Sequence, residues 1–147
     1  MAIVMDEDAL MAFMSDAFEQ VADEFLVENV TPEGELRVRL LVSHKHLRPG
    51  GTVSGPSMFA LADVAAYLVT LSRIGPKALA VTTNCSIDFM RKPANNVDLI
   101  AEAKLLKLGR QLSVTDVLIR SDGQAAPVAR ATLTYALPPT KPDNAAN

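Results

Sequence analysis

A single cysteine, Cys85, excludes an internal disulfide and any multi-cysteine zinc site. Tryptophan is absent and aromatics make up 5% of the 147 residues. Stacking platforms for single-stranded nucleic acid are therefore lacking, and a nucleic-acid partner is not favoured. Residues 1–35 contain no lysine or arginine against ten acids. The start Met1-Ala2-Ile3-Val4-Met5 leads into Asp6-Glu7-Asp8 rather than a basic n-region, so no secretory signal is expected. The longest apolar run carries Asp63, which predicts a buried helix rather than a membrane span. The two histidines, His44 and His46, share one loop with no cysteine near. They read as solvated loop residues, and no metal is expected. These absences together predict a cytoplasmic protein with no membrane partner.

What is present is unevenly distributed. The net charge of −3 hides a split: with ten acids in residues 1–35, the other 112 residues hold 14 basic and 7 acidic side chains, a balance of +7. A basic body suits a small polyanion. Asp63 is the only charged residue between Arg48 and Arg73, in the middle of Met58-Phe59-Ala60-Leu61-Ala62-Asp63-Val64-Ala65-Ala66-Tyr67-Leu68-Val69. An unpaired carboxylate costs several kcal/mol to bury, so this acid is either exposed at an edge, bonded in a structural role, or placed for chemistry.

The spacing Leu10, Met14, Ala17, Val21, Phe25 predicts an amphipathic helix over 7–28, ended by Pro32 and Gly34. Alternation over 35–42 predicts a half-buried strand. The Gly- and Pro-rich loop 43–54 feeds a helix over 56–73, apolar nearly all round, with Pro56 in its first turn and Gly75-Pro76 beyond its end. Four strand-like segments follow, 78–90, 97–107, 111–120 and 125–137, with turns at Leu108-Gly109-Arg110 and Asp122-Gly123. In the first, Leu79, Val81, Thr83, Cys85, Ile87 and Phe89 form one row. The expectation is one α+β domain over 1–137 with a disordered tail over 138–147. Its fold would be a hotdog: a curved five-stranded antiparallel sheet wrapped around the long apolar helix, plus the N-terminal helix.

Two segments resemble the PaaI-type (4-hydroxybenzoyl-CoA thioesterase-like) hotdog thioesterases. They are Gly51-Thr52-Val53-Ser54-Gly55-Pro56-Ser57-Met58-Phe59-Ala60-Leu61-Ala62-Asp63-Val64-Ala65 and Thr82-Thr83-Asn84-Cys85-Ser86-Ile87-Asp88-Phe89-Met90-Arg91-Lys92-Pro93. The resemblance covers roughly residues 35–137. It implies hydrolysis of an acyl-CoA thioester, coenzyme A being part of the substrate rather than a cofactor, in a homodimer or dimer of dimers. It implies that Gly55 offers its backbone N–H to the thioester oxygen, that Asp63 is the base or nucleophile, and that Thr82 or Asn84 helps position water or acid. The chain departs from the family at Ser54, where a His is usual, at Pro56, where a second Gly is usual, and at Arg48, where an amide is common. Ser54 reads as a helix cap or an added hydroxyl donor, and Arg48 as a solvated residue, a partner of Asp63 or a reader of an acidic acyl group. Arg91, Lys92, Lys107 and Arg110 sit at strand ends and turns, where they could hold the phosphates of coenzyme A or remain solvated.

Gly55 and Asp63 are eight residues apart, about 12 Å of helix rise. A reacting carbonyl must lie roughly 3 Å from both its oxyanion donor and its attacking group. One chain does not easily meet both demands, whereas two antiparallel helices at a dimer interface can. The same loop and helix also suit a non-catalytic acyl-CoA-binding or regulatory protein. A dehydratase is disfavoured, because no His–acid pair is placed for proton transfer to carbon.

Overall fold

The computed structural model describes residues 2–139. Asp6 caps the first helix, α1 (Glu7–Ala17), by accepting from Ala9 N–H at 2.9 Å, and the helix buries Leu10 and Met14. A 3₁₀ turn, Ala22–Glu24, leads into β1 (Phe25–Val30) and β2 (Glu35–Leu40). A second 3₁₀ turn, His44–His46, precedes the long helix α2 (Gly55–Ile74). Then come β3 (Val81–Phe89), β4 (Leu99–Leu108), β5 (Leu112–Ser121) and β6 (Pro127–Ala136).

The expected helix over 7–28 stops at Ala17. Residues Phe25-Leu26-Val27-Glu28-Asn29-Val30 bury Phe25, Val27 and Val30 and pair antiparallel with β2. A segment of Phe, Leu and two valines beside a complementary strand buries more as a strand than as a helix extension. This strand also corrects the sheet. Among the described residues the sheet has six strands, not five, in the order β1-β2-β4-β5-β6-β3, all antiparallel. It is an open sheet with β1 and β3 as its edges, not a curved five-stranded one wrapped around the helix. The chain is thus an α+β, hotdog-like fold in which α2 packs against one sheet face. The tail expected over 138–147 falls, from residue 140 onward, outside the described residues.

Helix α2 is built as a core element. Leu61, Ala62, Ala65, Leu68, Val69 and Leu71 are fully buried. Truncating such a leucine to alanine costs about 2–5 kcal/mol. By length and hydropathy α2 could cross a membrane, but 67% of its apolar window is buried within the fold. Its buried Thr70 hydroxyl bonds back to the Ala66 carbonyl at 2.8 Å and meets Ser113 Oγ at 2.7 Å. Arg73, in the last turn, suits the negative end of the helix dipole and donates to the Thr31 carbonyl. Gly75 then takes φ +92°, which stops the helix where a side chain would be strained.

Candidate active site

The first turn of α2 has four backbone positions to account for. Ser54 is its cap: its Oγ accepts from Ser57 N–H at 3.3 Å and donates to Ser57 Oγ at 3.0 Å. Met58 N–H bonds the Ser54 carbonyl at 3.1 Å. Pro56 has no N–H to offer. Among the described residues, Gly55 N–H is left as the one unspent donor of that turn, at the positive end of the helix. Glycine also suits the site sterically. A helical residue before a proline is crowded through its Cβ, which Gly55 lacks. A Cβ placed there would stand 3.5 Å from the Phe89 ring, in ordinary contact.

Two turns on, Asp63 is half-buried rather than sealed in the core. Thr82 Oγ1 donates to its Oδ1 at 2.6 Å, and Tyr135 OH donates to the same oxygen at 2.7 Å. The tyrosine hydroxyl also lies 3.1 Å from the Asp63 carbonyl. Oδ2 receives no hydrogen bond among the described residues and is not sealed from solvent. One oxygen is therefore clamped by two hydroxyls while the other is left open. Burial above all, then the Asp63 charge, pushes the Tyr135 phenol well above its ordinary value, so it remains a donor. Burial, with a contribution from Asp63, also raises the Cys85 thiol on the neighbouring strand, which keeps it protonated and a poor nucleophile.

Thr82 reaches Asp63 because of a bulge. The β3–β6 register shifts between Thr82 and Asn84, which turns Thr82 to the helix side with Cys85, Ile87 and Phe89. The single row expected over residues 79–89 is thereby broken: Leu79, Val81 and Thr83 are exposed. Asn84 is also exposed and makes no hydrogen bond to Asp63.

The remaining expected residues are not gathered in one chain. Arg48 is exposed, has no salt bridge among the described residues, and does not pair with Asp63. Arg91 and Lys92 follow the Phe89 end of β3, with Arg91 donating to the Pro127 carbonyl at 2.7 Å. Lys107 and Arg110 lie at the β4–β5 hairpin, the opposite end of the strands, since Leu112 and Val81 both pair with Ala136. All four are exposed. His44 is exposed as expected, but His46 is buried at 5% exposure, with both ring nitrogens bonded. No group of three or more metal-ligating side chains occurs among the described residues.

Sequence reasoning missed Tyr135. It lies 72 positions from Asp63, and only the strand pairing brings them together. The available signal was local: Tyr135 follows Ala131 and Leu133 on the inward row of β6, and a polar-tipped aromatic in such a row needs a partner. Tyr67, four residues beyond Asp63, is buried with its ring centroid 5.7 Å from that of Tyr135 and 5.5 Å from that of Phe18.

Comparison with known proteins shows the family. A provisionally named esterase of Archaeoglobus fulgidus is 31% identical over 99 residues, which cover 67% of this chain and 61% of that protein's length. The crystal structure of a provisionally named thioesterase from Silicibacter sp. is 54% identical, covers 95% of this chain and 96% of its own, and superposes with a TM-score of 0.88. A mutant of the phenylacetic acid degradation protein PaaI from Thermus thermophilus is 30% identical, with coverage of 86% and 99% and a TM-score of 0.67. A family model described as "Thioesterase superfamily" matches residues 50–128, which include Gly55, Asp63 and Thr82. On that match the chain belongs to the thioesterase superfamily.

Proposed function

We propose that this protein hydrolyses acyl-CoA thioesters, with each site shared between two copies of the chain. The observation that carries the reading is the half-clamped carboxylate: Asp63 is held through Oδ1 by Thr82 and Tyr135, while Oδ2 is open to a water or a carbonyl carbon. Gly55 N–H supplies the matching donor. Such a donor is typically worth about 10²–10³ in rate when it meets a developing oxyanion.

The pairing of the two groups follows from β3. Gly55 packs over the Phe89 ring and Asp63 is held by Thr82, near opposite ends of that strand. β3 is a sheet edge. Antiparallel pairing with the β3 of a second copy reverses its ends, so Gly55 of one chain approaches Asp63 of the other. Exposed Val81, Phe89 and Met90 on and beside this edge favour such a contact. Arg91 and Lys92 then accompany Gly55, and Lys107 and Arg110 accompany Asp63, as cations for the phosphates of coenzyme A. Arg48, on the loop before Gly55, is left to contact the acyl group. A dimer of dimers and a cytoplasmic setting belong to the same reading.

In the reaction, Asp63 either removes a proton from water attacking the thioester carbon or attacks it directly, giving an anhydride that water then cleaves. The C–S bond breaks in both routes. The thiol has an ordinary pKa near 8.5, so it leaves as thiolate and takes its proton from solvent. No general acid is required, and Ser54 can be spent on capping in place of the family's usual histidine.

The test is a panel of acyl-CoAs followed by thiol release, with Asp63→Asn alongside. The expected outcome is turnover on part of the panel and a loss of about 10²–10⁴-fold in the variant. Turnover unchanged by the substitution would remove Asp63 from the mechanism. Binding without turnover in the parent would favour the acyl-CoA-binding alternative.

A further inference from the structure

His46 does more than fill the loop. Its ring is buried and both nitrogens are engaged: Nδ1 accepts from Ser43 N–H at 2.9 Å, and Nε2 faces Glu24 Oε1 at 2.8 Å. A backbone N–H can only donate, so Nδ1 carries no proton and Nε2–H donates to Glu24. Burial raises the Glu24 pKa, but hydrogen bonds from Lys45 and His46 outweigh it and hold the carboxyl below its ordinary value, so it is an ionised acceptor. Lys45 takes the other oxygen, Oε2, at 2.7 Å. The Glu24 carbonyl in turn accepts from Leu41 N–H at 2.8 Å, which ties the unit to the end of β2.

The same residue reaches the active site through its backbone. The His46 carbonyl accepts from Ser54 N–H at 2.8 Å, and Leu47 and Val53 bridge above it. Arg48 N–H bonds the Thr52 carbonyl at 2.9 Å and Gly51 N–H the Arg48 carbonyl at 3.0 Å. Loop 46–54 is therefore a small closed hairpin standing on His46 and Ser54. Ser54 caps α2, and Gly55 is the next residue. Whatever tilts the His46 end tilts the Gly55 N–H.

We propose that His46 is a positioning residue for the oxyanion donor: its neutral, Nε2-protonated ring, held between Ser43 and Glu24, sets the direction of Gly55 N–H. The idea rests on the reading of Gly55 given above. A donor displaced by about 1 Å can cost on the order of 10²-fold in rate with little effect on substrate affinity. Asparagine can keep an acceptor near the Nδ1 position for Ser43 but loses the Glu24 bond, whereas alanine loses both.

The test is a set of ¹H–¹⁵N spectra of the parent, His46→Asn, His46→Ala and the exposed-site control His44→Ala, together with kcat and KM. The parent ring is expected to show the neutral Nε2–H pattern at pH 7. Ser54 and Gly55 amide signals should move in both His46 variants and stay in place in the control. With turnover present, kcat should fall roughly 10–100-fold in His46→Ala and less in His46→Asn, with KM within about twofold. An imidazolium or an Nδ1–H ring in the parent would overturn the proposal, as would unmoved Ser54 and Gly55 amides in His46→Asn. The parent spectrum decides even where His46→Ala fails to fold. Because the spectra need no substrate, a protein without hydrolase activity would still decide the role of His46 while separately ending the thioesterase reading.

Discussion

The two edges of the sheet are finished in opposite ways. β1 is six residues long, carries a bulge between Val27 and Asn29, and is closed off by α1: Val30 N–H donates to Glu7 Oε2 at 2.8 Å and Val27 N–H to Met11 Sδ at 3.3 Å. Its Glu28 also holds Arg37 at 3.1 Å and Arg39 at 2.6 Å. β3 is nine residues long, has Asp88 as its one charged residue, and exposes Val81 and Phe89. Natural sheets blunt an edge with short strands, bulges, charges or a covering helix. One edge here uses all four, while the other, which lies beside Asp63, has a bulge and a single charge. A stable chain leaves a strand edge that unprotected where something else covers it, and this contrast is the physical basis for proposing a site shared between two copies.

The harshest way to break this contrast is to give β3 the protection β1 has. Val81→Lys places a charge on the bare edge without touching the core, since Val81 is 55% exposed. The expected outcome is a monomer in sedimentation and a loss of about 10²-fold or more in acyl-CoA hydrolysis, because each chain then lacks the group supplied by the other. Thermal stability of the monomer should follow its own core. A monomer with full turnover would end the shared-site argument.

A gentler set of changes stays within one chain. Tyr135→Phe and Thr82→Val each remove one hydroxyl from Asp63 Oδ1. A hydrogen bond to a charged group contributes about 1.5–3 kcal/mol, so each variant should lose at least about tenfold in kcat. Neither should alter the oligomeric state. If the two losses multiply in the double variant, the hydroxyls act independently. A double variant no worse than either single would mean they hold the carboxylate as one unit.

Much of this was legible in the sequence for reasons that are local. Helix α2 announced itself through Ser54, Pro56, the apolar run and Gly75, and Asp63 stood out because nothing near it was charged. The strands after it were set by alternation and by the turns at Gly109 and Gly123. What escaped was non-local. The spacing of Leu10, Met14, Val21 and Phe25 carries a helix into β1, and only pairing with β2 decides otherwise. Tyr135 escaped because sheet pairing brings it to Asp63. Thr82 was identified, but the bulge that aims it was not. In sequence alone His46 looks solvated, since nothing local shows that Glu24, 22 residues earlier, lies beside it.

The smallest effect sharpens the comparison from its protected side. Glu7→Ala removes the acceptor that satisfies Val30 N–H but leaves Leu10 and Met14 packed. The freed N–H lies at the rim, where water can partly replace the carboxylate. The loss should therefore be about 1 kcal/mol of stability, which for a chain of this size lowers Tm by a few degrees. Hydrolysis should be unchanged, because β1 lies at the far edge of the sheet from β3. Amide exchange gives the decisive reading: Val30 and its β1 neighbours should lose protection while Thr82 and Cys85 keep theirs. Equal loss at both edges would mean that α1 supports the whole sheet, and the two edges would no longer be independent solutions to one problem.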